Sequence, residues 1–172
     1  MDADVISLSC AVLTSSDTRT LANDTSGQYL VDRLHEAGHA VTARDIVADD
    51  VYKLRAVVSA WIADSNISVI IITGGTGFTN RDSTPEAVQV LFDKEIAGFG
   101  ELFRQLSYAD IGSSTVQSRA IGGLANNTLI FCLPGSTGAC RLAWEKILSE
   151  QLNSQHRPCN FAELLHKHSQ SH

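Results

Sequence analysis

The chain has no block of Lys and Arg and no basic stripe with interleaved aromatics. A nucleic-acid surface needs such a stripe to displace counterions from phosphates, so nucleic acid is not expected as a partner. The formal net charge of −6 points the same way. An anionic ligand would have to be met locally, by backbone N–H groups and a few Arg side chains. No apolar run approaches the roughly 18 residues of a membrane span, so no membrane is expected. The start, Met1-Asp2-Ala3-Asp4, is acidic where a signal peptide is basic, and the expected compartment is the cytoplasm. No CxxC pair occurs among Cys10, Cys132, Cys140 and Cys159, which argues against a structural zinc site. Cys10 and Cys132 lie in apolar strand-like runs and read as small buried hydrophobes, while Cys140 falls in a helical pattern. Three of the six histidines, His166, His168 and His172, crowd the C-terminal end, where a polar tail explains them better than a metal does.

What is present is enough for one folded unit. The 172 residues with 44% hydrophobic content suffice for a single domain over 1–172, ordered from about 5 to 165. Apolar β-branched runs predict strands at 5–14, 41–47, 67–72 and 128–133, with a further short one at 121–125. Between them, apolar residues recur at helical spacing. One helix follows the cap cluster Asp24-Thr25-Ser26, carries Tyr29, Leu30, Leu34 and Ala37, and stops at Gly38. Another runs from Val51 to Asp64, with Trp61 on its core face. Helix is also expected from Pro85 to Asp93. A break follows at Gly98-Phe99-Gly100, then helix from Glu101 to Tyr108. A short helix capped by Ser113-Ser114-Thr115 should reach Arg119. A helix should follow Pro134-Gly135-Ser136-Thr137-Gly138, and a final turn is expected at 161–165. Strands alternating with helices predict a doubly wound α/β fold with a mostly parallel sheet. Ligands in such folds bind beyond the carboxyl ends of the strands. The loops at Ser16-Asp17, Asp49-Asp50, Gly74 and Pro134 should therefore form one rim.

The most informative of these loops is Thr73-Gly74-Gly75-Thr76-Gly77-Phe78-Thr79-Asn80-Arg81-Asp82-Ser83-Thr84-Pro85-Glu86. It joins a buried strand to a helix start marked by Thr84-Pro85. Backbone N–H groups and a helix N-terminus would meet there, which suits an anion such as phosphate, although glycines also serve plain tight turns. The loop is neither a Walker A motif nor a dinucleotide fingerprint, since it lacks both Gly-Lys-Ser/Thr and the third spaced glycine. Asp82 reads either as a cap or Asx turn, or as a Mg²⁺ ligand with Asp49 as the second acid. Arg81 is either a phosphate contact or a solvated charge. Glu86 is explained by the first helical turn, and Ser136 by a cap or a ligand contact.

The run Ile72-Thr73-Gly74-Gly75-Thr76-Gly77 followed by Arg81-Asp82-Ser83-Thr84-Pro85-Glu86 resembles the MoaB/Mog family of molybdenum-cofactor biosynthesis proteins. So do Asp24-Thr25-Ser26-Gly27, Gly98-Phe99-Gly100-Glu101 with Arg104 and Ser107, Ser118-Arg119, Pro134-Gly135-Ser136, and the ending Arg157-Pro158-Cys159-Asn160-Phe161. This ending places the resemblance closest to the MoaB branch. The resemblance implies a three-layer α/β/α domain with a mostly parallel sheet, the molybdopterin-binding fold. It implies adenylylation of molybdopterin with MgATP and release of pyrophosphate, or alternatively a non-catalytic molybdopterin-binding or assembly role in that pathway. It places the catalytic and Mg-binding acids on Asp49 and Asp82. Substrate binding falls on the glycine loop (Gly74, Gly75, Thr76 and Gly77, with Arg81 and Glu86) and on Ser16, Asp17, Ser107, Ser118, Arg119, Pro134, Gly135 and Ser136. It also implies a homo-oligomer, a trimer or hexamer.

Overall fold

The computed structural model describes residues 4–169. Six strands form one sheet: β1 (Ser9–Ser15), β2 (Ala40–Val47), β3 (Val69–Thr73), β4 (Lys94–Glu95), β5 (Ile121–Ala125) and β6 (Thr128–Leu133). Their order is β2-β1-β3-β6-β5-β4. The first four in that order run parallel, and β5 is antiparallel to β6. The β5–β6 turn is Asn126-Asn127, both at positive φ (47° and 61°). Asn tolerates that region better than most side chains, and tight hairpin turns require it.

Strand alternation assigns the two faces. Val69 and Ile71 of β3 join a core with Leu30, Leu34, Phe103, Phe131 and Trp144. Ile70 and Ile72 join a second core with Leu54, Val58, Ala87 and Val88. Helices α1 (Thr25–Glu36), α4 (Ala97–Ile111) and α5 (Thr137–Ala143) thus cover one face, with the C-terminal helix Phe161–Ser169. Helices α2 (Val51–Ala63) and α3 (Thr84–Val88) cover the other. The result is the three-layer α/β/α arrangement with a mostly parallel sheet. Trp61 is half-buried against the second core, as its spacing predicts.

Several boundaries differ from the sequence expectation. Gly98-Phe99-Gly100 does not break a helix, because α4 runs through it to Ile111. Gly100 is there for close approach: a Cβ on it would stand 2.5 Å from the Ala120 carbonyl oxygen. Phe99 is buried and packs 4.9 Å, centroid to centroid, from Phe131. The helix expected to reach Asp93 ends at Val88 and continues as a 3₁₀ turn, Gln89–Leu91. Residues 112–117 are likewise 3₁₀. The two-residue edge strand β4 carries no sequence signal. After α5 the chain winds as a π-helix over Trp144–Leu148. His166 and His168 fall in the C-terminal helix, whereas His172 and Met1-Asp2-Ala3 lie outside the described residues. No helix among the described residues is long and apolar enough to cross a membrane.

β1 connects through α1 to β2 on one side, while β3 lies on the other side of β1. α1 and α2 cover opposite faces. The chain therefore reverses direction between β1 and β3, and a crevice opens beyond their carboxyl ends.

Candidate functional site

That crevice is a cavity of about 610 Å³. Its size suits a cofactor-scale ligand, since such sites usually span about 300–1,000 Å³. Three walls come from the ends of β1, β3 and β6: Ser15 and Ser16, the loop Gly74–Gly77, and Pro134 to Ser136. A fourth wall comes from the C-terminal half of α4 and the 3₁₀ turn after it, with Ser107, Asp110, Ser114 and Gln117.

The glycine loop has its shape because side chains are excluded from it. Gly74 and Gly75 have φ of 99° and 70°. A Cβ on Gly74 would fall onto the Ser15 carbonyl, and one on Gly75 onto the Thr84 hydroxyl. Buried Thr84 donates its hydroxyl to the Gly74 carbonyl (2.8 Å) and its N–H to the Gly75 carbonyl (3.0 Å). The loop is thereby tied to the start of α3. That helix has only five residues, so its dipole is small, and the loop's own backbone accounts for any affinity for anions. Ser83 holds the N-cap position without a side-chain cap bond.

The two arginines predicted to meet substrate are engaged by protein groups. Arg119 donates to the carbonyls of Gly77 (2.5 and 2.9 Å), Thr76 (3.3 Å) and Asp82 (3.2 Å). It also pairs with Glu86 and lies 5.0 Å over the Phe78 ring. Neither Arg119 nor Glu86 lines the cavity; together they brace the loop from outside. Arg81 makes a two-pronged pair with Asp17 (2.8 Å each) on the exposed rim. That guanidinium, and next the Asp49 N–H, hold the Asp17 carboxyl below its usual range. Arg19 alone supplies a cationic side chain to the cavity lining among the described residues.

The two predicted acids flank the loop. Asp49 accepts the Ser15 hydroxyl at 2.5 Å, and its Oδ1 lies 3.2 Å from where a Gly75 Cβ would stand. Asp82 lines the cavity, with Oδ2 2.8 Å from the corresponding point at Gly77. Asp82 accepts the Thr79 N–H (2.8 Å) and hydroxyl (2.7 Å) from three residues back, so it is neither the helix cap, which is Ser83, nor an Asx turn, which would take an N–H from the residues after it. Burial pushes its carboxyl up, but the bonds from Thr79 and Gly77 and the charge of Arg119 outweigh this, and it titrates below the usual range. It is anionic at neutral pH. No group of three His, Cys, Asp or Glu side chains able to hold a metal occurs among the described residues. Two hard carboxylates fit Mg²⁺, which takes one or two of them and fills its shell with water and substrate phosphates.

Ser16, Gly74, Gly75, Thr76, Gly77, Asp82, Ser107, Ser118, Pro134, Gly135 and Ser136 all line the cavity. Asp17, Asp49, Arg81, Glu86 and Arg119 stand behind or beside it. Ser136 caps α5 by accepting the Ala139 N–H (3.1 Å) and lines the cavity as well. Sequence reasoning missed Ser15, Arg19, Asp24, Asp110, Ser114 and Gln117 as lining residues. Asp24 carried a signal as a cap, and it does cap α1 (Gly27 N–H, 3.0 Å) while accepting the Thr14 hydroxyl at 2.6 Å. Asp110 of α4 and Gln117 of the 3₁₀ turn carried none, because packing decides which side of a helix overhangs a rim. Cys10 and Cys132 are fully buried, and burial raises the Cys10 thiol to about 12.

Residues 11–154 match the family model described as a probable molybdopterin binding domain. The chain is 56% identical over 151 residues to molybdenum cofactor biosynthesis protein B of Escherichia coli K12, covering 88% of this chain and 89% of that one. A crystal structure of a molybdenum cofactor biosynthesis protein B superposes with a TM-score of 0.87 at 46% identity, over 94% and 98% of the two chains. The tungsten cofactor synthesizing protein MoaB of Pyrococcus furiosus superposes with a TM-score of 0.75 at 37% identity, over 84% and 92%.

Proposed function

The chain belongs to the MoaB/Mog family of molybdopterin-binding domains, and from that premise we propose that it binds molybdopterin and adenylylates it with MgATP during molybdenum-cofactor biosynthesis. The observation that carries this reading is the glycine loop flanked by Asp49 and Asp82 on a cavity of about 610 Å³. In the reaction, an oxygen of the pterin's terminal phosphate attacks the α-phosphorus of ATP. The new P–O bond forms as the bond to the β-phosphate oxygen breaks, and pyrophosphate leaves with that electron pair. No side-chain nucleophile is required, so the protein's contribution is positioning and charge compensation. The loop N–H groups hold phosphate oxygens, Thr84 and Arg119 keep the loop rigid, and Arg19 adds positive charge at the mouth. Asp49 and Asp82 would hold Mg²⁺, which when bound neutralises phosphate charge. A homo-oligomer, trimeric or hexameric, belongs to the same reading and is supported by the family resemblance.

A second reading is a non-catalytic molybdopterin-binding protein. Its support is that both acids already have structural duties, Asp49 on Ser15 and Asp82 on Thr79. Incubation of the purified protein with molybdopterin, ATP and Mg²⁺ separates the two. Adenylylated pterin is the expected product, and Asp82→Asn should slow its formation at least ~100-fold, as loss of a charge-compensating group does. Wild-type protein that binds the pterin yet yields no product overturns the enzymatic reading. Equal turnover by Asp82→Asn overturns the role given to Asp82.

A further inference from the structure

Asp49 and Asp82 stand on different loops, one after β2 and one after β3. β1 lies between those strands in the sheet, and its end carries the groups that tie the two loops together. Ser15 donates its hydroxyl to the Asp49 carboxylate (2.5 Å). Asp17, two residues on, accepts the Asp49 N–H with Oδ1 (3.1 Å). The same carboxylate takes both prongs of Arg81, Nη2 on Oδ1 and Nε on Oδ2 (2.8 Å each). Arg81 directly precedes Asp82. One carboxylate therefore bonds the backbone of one acid and the chain neighbour of the other. Fold stability does not account for this arrangement. The side chains of Arg81 and Asp17 are 61% and 38% exposed, and ion pairs in such a setting add little to stability. A ligand phosphate is not needed to explain Arg81 either, since the carboxylate fills its fork. Neither residue lines the cavity.

We propose that Asp17 and Arg81 are positioning residues, a clasp that sets Asp49 and Asp82 relative to one another for Mg²⁺ and the nucleotide phosphates, and that neither touches the ligand. A two-pronged guanidinium–carboxylate pair has a fixed planar geometry, so it holds two loops in register where a point charge would let them slide. Arg119 holds Asp82 from another side, through its carbonyl (3.2 Å), and the clasp adds the tie toward Asp49. Two carboxylates that share a cation need such support, because like charges repel until it binds. This assignment rests on the MgATP reading above and refines it. It also takes Asp17 and Arg81 out of the substrate-binding set that the family resemblance implies.

The probe is ATP, titrated calorimetrically into the full chain in EDTA and again in excess Mg²⁺. The ratio of the two affinities is the gain that the cation brings. Mg²⁺ should tighten ATP binding to the wild type, because two carboxylates meet anionic phosphates favourably only with a cation between them. Asp17→Ala and Arg81→Gln should each cut this gain about 10-fold, the scale on which hydrogen-bond partners of metal-holding groups act, with ATP binding in EDTA unchanged. The double variant should lose no more than Asp17→Ala alone, since both changes open one clasp. All three should melt within about 3 °C of wild type, because the pair is exposed. A gain that survives in either single variant, or losses that add in the double variant, overturn the clasp while leaving the metal site standing. If Arg81→Gln weakens ATP binding in EDTA while Asp17→Ala strengthens it, Arg81 is a phosphate contact and the clasp is again overturned. Wild-type protein that binds ATP equally with and without Mg²⁺ overturns the clasp together with the metal reading. Wild-type protein that binds no ATP overturns both, and the adenylylation reading with them.

Discussion

Arg119 shows how a single residue can be conspicuous in sequence and have a different job in the fold. Its guanidinium reaches three carbonyls of one loop segment, those of Thr76, Gly77 and Asp82. Only a planar fork with several fixed donors spans them, and Lys has one ammonium on a flexible stem. Arg119→Lys should lower stability in urea by about 2 kcal/mol, the scale of a charged hydrogen bond left unmade. It should also weaken ligand binding without removing a ligand contact. His39 gives a residue-scale prediction with a pH sign. It is buried, its Nδ1 accepts the Leu8 N–H at 3.2 Å, and burial holds its imidazole below the usual range. As pH falls through about 6.5 the unfolded chain takes up a proton that the folded chain refuses. Stability is therefore fully present above that pH and lost below it, down to the folded-state value. Thermal melts from pH 7.5 to 5.5 should fall less steeply for His39→Gln than for wild type.

At the scale of an element, the loop from β3 to α3 is the part whose backbone matters most. Both Gly74 and Gly75 sit where a side chain would meet protein atoms. Gly75→Ala combines a positive φ of 70° with a clash at Thr84 and Ser15. It should cost about 1–3 kcal/mol by denaturant unfolding, the range for a side chain forced into a sparsely populated backbone region. Ligand affinity should fall further than stability does, because the loop N–H groups move. The strand before the loop was legible, since Ile70, Ile71 and Ile72 admit almost no other reading. The helix after it was legible only at its start. Pro85 marks the first turn, but nothing in Ala87 to Asp93 announces the change to a 3₁₀ turn.

At the scale of the molecule, β6 holds the sheet's two halves together, parallel to β3 and antiparallel to β5. Phe131 at its centre contacts Phe99 (4.9 Å) and Phe161 (6.4 Å), and so joins α4 and the C-terminal helix to the sheet. Phe131→Ala should remove about 3–5 kcal/mol, the usual cost of a truncated buried aromatic. A urea titration followed by tryptophan fluorescence measures it, since Trp144 belongs to the same core.

The sequence by itself determined the alternation of strands and helices, the glycine loop and the common rim. These follow from local causes: β-branched runs, helical spacing, and turn residues that few backbone conformations accept. It also pointed to Asp82 beside the cavity. Only the tertiary structure decided which polar groups remain available to a ligand. Arg81 and Arg119 look alike in sequence to Arg19, yet the first two are taken up by Asp17 and by the loop carbonyls, while Arg19 donates to the Asn23 carbonyl (2.9 Å) and still lines the cavity. Asp110 stays an exposed acid in the fold, and only packing places the end of α4 beside the cavity. A hydrogen bond consumes a donor or acceptor wherever its partner lies along the chain, and distant partners have no local signature.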